Sequence, residues 1–89
     1  MREIVYKKQF KKDYQRLARI GRDFSRMAEA VNLLQAGEPL PPHFRDHQLT
    51  GNLKDYRECH LGGDWLLIYR RTEDFLILAR TGTHTELFD

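Results

Sequence analysis

The sequence predicts an α+β fold in which a helical hairpin covers one face of a small, mainly antiparallel sheet. Two patterns support this prediction. Apolar side chains recur every three or four residues in the early part of the chain, as on one face of a helix, and every second residue in the later part, as along a strand. A segment rich in glycine and proline separates the two patterns. The predicted element order is β-α-α-β-β-β, within one domain that spans 1–89.

A short strand and two helices are predicted before the proline-rich segment. Residues 2–6 alternate as a strand does, and a helix over about 8–20 follows. A second helix begins near Asp23, whose side chain suits an N-cap, and it ends before Gly37. The apolar side chains that these helices turn toward the core are Phe10, Tyr14, Leu17, Phe24, Met27, Ala28, Val31 and Leu34.

A loop is predicted over 37–52, and three strands follow it. The loop holds all three prolines, and a loop this long in so small a domain is typically functional. The predicted strands are 53–60, 65–71 and 75–81, joined by tight turns as a meander. The strand over 65–71 is apolar on both faces, which predicts a central place in the sheet. The last strand is expected to turn its alternate residues Leu76, Leu78 and Arg80 to one face.

Composition excludes several classes of protein. Hydrophobic residues make up 40% of the 89 residues, which is enough for one modest core and argues against global disorder. The longest apolar run, Trp65–Tyr69, is far shorter than the roughly 20 residues of a membrane helix. No secretory signal is expected, and the single cysteine, Cys59, excludes an internal disulfide framework. A reducing cytoplasm is the expected location, with no membrane partner.

The charge of the chain is unevenly distributed. Residues 1–45 hold ten Lys and Arg against five Asp and Glu, and residues 46–89 hold five against eight. The basic half favours nucleic acid or an acidic partner, although a solvated helix face would explain it as well. The basic side chains of the first helix are Lys8, Lys11, Lys12, Arg16 and Arg19.

Four histidines provide candidate proton-transfer groups. His43 and His47 are four residues apart, but two prolines precede them and no cysteine accompanies them, so no metal site is expected. His60 lies at the end of a predicted strand, and His84 follows the last one. Imidazole titrates near neutral pH, so these side chains suit general acid–base catalysis. Half-exposed histidines without a function are the simpler alternative.

Two acidic side chains and a set of arginines lie near these histidines in the predicted sheet. Glu58 shares the face of His60, and Asp64 lies in the following turn. A neighbouring carboxylate can orient an imidazole ring or raise its pKa. Arginines of the predicted strands, including Arg80, could hold a phosphate.

Five blocks of the sequence carry a family resemblance. They are Phe10–Asp13, Asp46–Gly51, Tyr56–His60, Asp64–Tyr69 and Gly82–Phe88. In this order and spacing they resemble the YafQ-type toxins, which belong to the RelE/ParE superfamily of bacterial type II toxin–antitoxin systems. The resemblance covers nearly the whole chain and implies the RelE-like microbial ribonuclease fold.

The resemblance also implies an activity, namely cleavage of translated mRNA on the ribosome by an endoribonuclease. A base removes the proton of a ribose 2′-OH, the oxygen attacks the adjacent phosphate, and an acid protonates the 5′-O leaving group. The products carry a 2′,3′-cyclic or 3′ phosphate and a 5′-OH. No metal or other cofactor is implied. The implied partners are a cognate antitoxin protein, the ribosome and mRNA.

The resemblance assigns roles to residues at matching positions. The implied catalytic residues are His47, His60, Asp64 and His84. Secondary roles in catalysis or substrate binding fall to Glu58, to Arg80, which would stabilise developing negative charge, and to Phe88, which would stack on a base. On physical grounds, the basic residues of the first helix suit rRNA phosphates and predict salt-sensitive binding. Gly63 departs from the family pattern, because many relatives have proline before the aspartate of the turn.

Two other functions stay open on the sequence. A toxin of the same fold can act without nuclease chemistry, as in the gyrase-directed ParE-like branch, but the histidines argue against that branch. A plain RNA-binding or ribosome-binding module would use the basic helix alone. It would tolerate the loss of His84 and would be sensitive to charge reversal at Lys12 and Arg16.

Overall fold

The computed structural model describes residues 1–88, and it confirms the predicted α+β class. Its helices and strands are β1 (Glu3–Tyr6), α1 (Lys8–Arg19), α2 (Ser25–Gln35), β2 (His47–Gln48), β3 (Arg57–Gly62), β4 (Trp65–Arg71), β5 (Phe75–Thr83) and α3 (His84–Phe88). Single 3₁₀ turns lie at Pro42–Phe44 and Gly51–Leu53. No helix within the described residues is long and apolar enough to cross a membrane.

The five strands form one sheet in the order β1-β5-β4-β3-β2. The strands β2, β3, β4 and β5 pair antiparallel, whereas β1 lies parallel to β5. The predicted meander and the central place of β4 are therefore confirmed. β4 is buried over its first five residues, because the chain covers both of its faces.

Both predicted helix ends have identifiable stop signals. Gly21 and Gly37 have positive φ angles of 78° and 80°, which a side chain would strain. After each helix, the amide two residues past the C-cap binds the carbonyl five positions back, at 3.1 and 2.9 Å. At the start of α2, the Ser25 N–H donates to Asp23 Oδ1 at 2.9 Å, so Asp23 caps the helix from two residues before it.

The hydrophobic core lies between the helices and one face of the sheet. Its buried members are Phe10, Leu17, Met27, Ala30, Leu34, Phe44, Cys59, Leu61, Trp65, Leu67, Tyr69, Leu76 and Leu78. Burial of each large apolar side chain contributes roughly 1.5–3 kcal/mol. Burial also raises the pKa of the Cys59 thiol to about 12, so this cysteine packs in the core as a neutral, unreactive group.

Three sequence predictions about the second half of the chain are wrong in detail. The loop over 37–52 contains β2, a two-residue strand too short to show a period. The first meander strand begins at Arg57 rather than at residue 53, because the preceding residues form a 3₁₀ turn. The last strand runs on through Thr83, and α3 follows it directly.

A β-bulge in β5 corrects a further prediction. Ile68 is the partner of Arg80, but the next residue, Tyr69, is the partner of Leu78, so Ala79 is the extra residue. Adjacent residues of β4 point to opposite faces, and so do their partners. Arg80 is therefore on the face opposite Leu78, and the expected common face of these two residues is wrong.

Candidate active site

Four residues form a row across the sheet on the face opposite the hydrophobic core. In the strand register His47 is opposite Glu58, Glu58 is opposite Ile68, and Ile68 is opposite Arg80. Residues directly opposite each other in paired strands point to the same face. The fold thus brings the polar side chains of His47, Glu58 and Arg80 to one row, although they are distant in sequence. The bulge at Ala79 places Arg80 on this face.

Glu58 lies between two histidines. Its Oε2 is 3.0 Å from His47 Nε2 and 3.7 Å from His60 Nε2. Its side chain is only 5% exposed, and its other oxygen, Oε1, has no hydrogen-bond partner within residues 1–88. A buried carboxylate needs compensation. The two imidazoles supply it at Oε2.

Hydrogen-bond partners define which ring nitrogens carry protons. His47 Nδ1 lies 2.9 Å from the Arg45 carbonyl oxygen, which only accepts, so Nδ1 donates. His47 Nε2 then faces the Glu58 carboxylate at 3.0 Å. His60 Nδ1 accepts from Arg45 Nη2 at 3.1 Å, so a neutral His60 carries its proton on Nε2.

The surroundings of His60 keep its ring neutral at neutral pH. Burial is the largest cause that lowers the pKa of His60, followed by the positive charge of Arg45. Glu58 acts in the opposite direction, and His47 and His84 add smaller lowering effects. A neutral imidazole can accept a proton, which is what a general base requires.

Sequence reasoning missed Arg45 and Asp46, which organise the loop before His47. Arg45 has φ 46° and ψ 46°, a left-handed conformation that is uncommon for a residue with a side chain. Asp46 accepts from the Tyr69 hydroxyl at 2.5 Å and from Arg57 Nη2 at 3.0 Å, which fixes the loop to the sheet. Their position directly before His47, in a proline-rich loop, is the sequence feature that could have indicated their role.

His84 is the first residue of α3, and a capping box holds that helix. The Thr83 hydroxyl accepts the Glu86 N–H at 3.2 Å, while Glu86 Oε1 accepts the Thr83 N–H at 2.7 Å. That bond, more than any other cause, lowers the pKa of Glu86, so the cap is complete at neutral pH and weakens as pH falls through the lowered value. The exposed His84 ring lies 4.9 Å from the Phe88 ring.

Arg80 is held by a buried aspartate that the sequence analysis did not single out. Asp13 on α1 is 3% exposed and binds Arg80 Nε at 2.7 Å and Arg80 Nη2 at 3.2 Å. It also accepts the backbone N–H of Thr81 at 3.2 Å. The hydrogen bond to Asp13 is the main cause that raises the pKa of Arg80. Asp13 was not recognised from the sequence because it lies among the basic residues of α1, where a single acidic residue has no distinctive pattern.

The predicted catalytic residue Asp64 lies outside the cluster of His47, Glu58 and His60. Asp64 lies exposed in the turn between β3 and β4, and the histidine ion pairs within residues 1–88 are with Glu58. His43, which was considered only as a metal ligand, packs its ring 4.5 Å from Phe44 instead.

The basic side chains of α1 divide into two groups. Lys8, Lys11, Lys12 and Arg19 are exposed. Arg16 is half-buried, because it binds Glu86 Oε2 at 2.5 Å and lies 3.7 Å from Asp13.

A cavity of about 450 Å³ adjoins the row of polar residues. Its lining combines apolar, aromatic and cationic side chains, including Ile68, Ala79, Leu87, Tyr56, Phe88, Lys7, Lys8 and Arg80. Aromatic rings beside cations suit a nucleotide, whose base stacks and whose phosphate is negative.

Three of the site residues also have the arrangement of a metal site. One ligand atom each from His47, Glu58 and His60 lies within 4.8 Å of the others. Two imidazole nitrogens and a carboxylate oxygen suit zinc or copper. The residues therefore fit a metal, although the sequence pattern predicted none.

Comparison with known proteins identifies the family. A family model described as the YafQ toxin of bacterial type II toxin–antitoxin systems matches residues 2–89. The chain belongs to the YafQ toxin family. The mRNA interferase toxin YafQ of Escherichia coli K12 is 39% identical over 88 residues, which are 98% of this chain and 96% of that protein. The recognition of YafQ-type toxins from the sequence is confirmed.

Solved YafQ-family structures share the fold closely. A copper-bound mutant toxin from Helicobacter pylori has a TM-score of 0.95 and 44% identity, and the match covers 99% of this chain and 100% of that one. YafQ in its complex with DinJ from E. coli has a TM-score of 0.91 and 38% identity, with 100% of both chains covered. The predicted RelE-like fold is thereby confirmed, and the roles of the site residues stay predictions.

Proposed function

We propose that this protein is the toxin of a type II toxin–antitoxin pair and an endoribonuclease that cleaves mRNA on the translating ribosome. The observation that carries the proposal is the group of His47, Glu58 and His60 on the sheet face that also holds Arg80, and Arg80 lines a nucleotide-sized cavity. The E. coli relative is named an mRNA interferase, which supports the same activity.

The proposed reaction needs one base and one acid. His60 has the neutral state of a base, and the exposed His84 is the second proton-transfer group. The base takes the 2′-OH proton, the oxygen attacks the phosphorus, and the acid protonates the departing 5′-O. Each proton transfer is worth about 10²–10⁴ in rate. The products are a 2′,3′-cyclic phosphate, which water can open to a 3′ phosphate, and a 5′-OH.

Other side chains would bind and orient the RNA. Arg80, held by Asp13, would stabilise the negative charge that develops on the phosphate. Phe88 lines the cavity and would stack on a base, a contact typically worth about 1–3 kcal/mol. Glu58 would orient the two histidines beside it. Asp64, exposed in its turn, would reach the substrate rather than the histidines.

Primer extension on a reporter mRNA tests this function. The protein is added to a translating extract, and to the same mRNA without ribosomes. We expect discrete cuts that require ribosomes and leave a 5′-OH downstream. Growth arrest without any cut would contradict the nuclease, and it would favour a toxin of this fold that acts by binding alone.

The exposed cations of α1 are proposed to bind ribosomal or messenger RNA phosphates. For Lys12→Gln we expect weaker binding to ribosomes and a log–log salt slope lower by about 1, because one phosphate contact is lost. Sedimentation with ribosomes at several salt concentrations measures the slope. Lys12→Arg keeps the charge and should keep the slope. A change in slope with Lys12→Arg, or none with Lys12→Gln, would argue against a phosphate contact.

A metal ion bound at the histidines would inhibit the proposed cleavage of RNA. His47, Glu58 and His60 would hold the ion, and it would take imidazole lone pairs that proton transfer needs. The copper-bound relative supports a site of this kind. We expect one equivalent of Zn²⁺ to bind by calorimetry and to slow cleavage until a chelator is added. His47→Gln should abolish binding and His43→Gln should not; equal binding by both variants would disprove this site.

The proposed partner is a protein antitoxin, and the proposed location is the cytoplasm. The structural relative from E. coli is seen in complex with DinJ, and this supports a protein antitoxin for the present chain. Ribosomes and mRNA, the proposed targets, are cytoplasmic.

A further inference from the structure

A network of four charged residues joins α1 to the strand and helix that carry Arg80 and His84. Arg16 binds Glu86 through Nη1 at 2.5 Å, and its Nη2 lies 3.7 Å from Asp13 Oδ1. Asp13 binds Arg80 at 2.7 Å. We call Asp13, Arg16, Arg80 and Glu86 the charged network. It connects residues 67 and 70 positions apart in sequence.

The carboxylate of Glu86 makes two contacts at once, one through each oxygen. One carboxylate oxygen caps α3 by binding the Thr83 N–H, and the other accepts from Arg16. Gly82 leaves the space for this arrangement, because a Cβ there would lie 3.0 Å from Glu86 Oε1 and 3.3 Å from Arg16 Nη2. Arg16 therefore binds the same carboxylate that caps the first turn of α3, and it helps to hold that carboxylate in its capping position.

We propose that Arg16 is a positioning residue for RNA cleavage, which acts through Glu86 to hold α3 and its first residue, His84, against the sheet. The inference rests on the proposed function, because the reaction it supports is the one assigned to His84. α3 has five residues, and an isolated helix of that length is unstable in water. Contacts at its ends therefore decide how often His84 is in place.

Arg16 differs in this respect from its neighbours on α1. Lys12, one turn earlier, is exposed, and neither an ion pair nor a side-chain hydrogen bond holds it within residues 1–88. A phosphate-binding cation affects how much enzyme is bound to its target. A positioning residue affects the rate of the bound complex instead.

Single-turnover cleavage on purified ribosomes, programmed with a reporter mRNA and with the toxin in excess, separates these two effects. For Arg16→Gln we expect the maximum rate constant to fall about three- to tenfold, with the half-saturating toxin concentration unchanged. For Lys12→Gln we expect the reverse. Arg16→Lys, which keeps a cation, should restore part of the rate. A higher half-saturating concentration with an unchanged maximum rate in Arg16→Gln would overturn the proposal.

A double-mutant cycle tests the route through Glu86. Glu86→Gln keeps an oxygen for the cap but removes the charge that Arg16 binds. The double variant Arg16→Gln/Glu86→Gln should be no slower than Arg16→Gln alone, since both changes break one contact. Glu29→Gln, an exposed helix position on α2, is the matched control and should cleave as the wild type does. Losses that multiply in the double variant would mean that the two residues act separately.

Hydrogen exchange of the Thr83 amide provides a readout that needs no nuclease activity. We expect Arg16→Gln to speed this exchange severalfold while core amides of β4 exchange as before. If the wild type cleaves no RNA, the proposed function fails, and the exchange rate still decides whether Arg16 holds α3. If the wild type cleaves and Arg16→Gln changes neither exchange nor maximum rate, the positioning role is wrong and the proposed function stands.

Discussion

His84→Ala should abolish most mRNA cleavage and relieve toxicity while the fold stays intact. Removal of a general acid or base costs about 10²–10⁴ in rate. The side chain is exposed and contacts the Phe88 ring, so its loss leaves the core untouched. Alanine is also favoured within a helix, and the capping box of Thr83 and Glu86 remains. Primer extension in a translating extract and growth after induction measure the two effects.

His43→Ala is the matched control for that experiment. It removes an exposed histidine that lies outside the cluster, beside Phe44. We expect it to cut mRNA at the wild-type rate and at the same positions. A fully active His84→Ala would remove His84 from the catalytic set and would return attention to His47 and His60.

Asp13→Ala should cause a large loss of stability. The carboxylate is almost fully buried and accepts hydrogen bonds from Arg80 and from the Thr81 N–H. Its removal leaves a buried amide and a half-buried guanidinium without their partner, which typically costs about 3 kcal/mol. Urea denaturation measures this loss as a lower midpoint with an unchanged slope.

Two comparisons separate the sources of that loss. Asp13→Asn keeps an acceptor for the Thr81 N–H but loses the charge that pairs with Arg80, so its stability should lie between those of Asp13→Ala and the wild type. Asp55→Asn is an exposed control, and we expect its free energy of unfolding to change by less than about 0.5 kcal/mol. A wild-type midpoint for Asp13→Ala would show that this buried pair adds nothing to stability.

The sequence was sufficient for the elements that have a strong period or a clear stop signal. α1 and α2 each carry an apolar face and a glycine in the left-handed region after the last turn, and β4 matches its predicted bounds. Two elements lacked such signals. β2 has two residues, and α3 is defined by the reciprocal bonds of Thr83 and Glu86 rather than by a repeating apolar pattern.

The sequence predicted which residues belong to the candidate site, but it did not predict which of them contact one another. The row from His47 to Arg80 depends on strand register and on the bulge at Ala79, and a bulge leaves no mark in an alternating pattern. Arg45 and Asp13 were missed for a related reason. Their importance comes from the partners that the fold brings to them, His60 and Arg80, which are 15 and 67 positions away in sequence.

The parallel pairing of β1 with β5 has a consequence for biosynthesis. The first strand to leave the ribosome is an edge strand whose sheet partner begins at Phe75, and α1 contacts Arg80 and Glu86 near the end of the chain. Contacts this distant in sequence form late, because the chain between them must first be available. A nascent chain therefore lacks the contact of Asp13 with Arg80 until the strand that carries Arg80 is available. The side chains proposed to bind and cleave RNA are therefore brought together only late in folding.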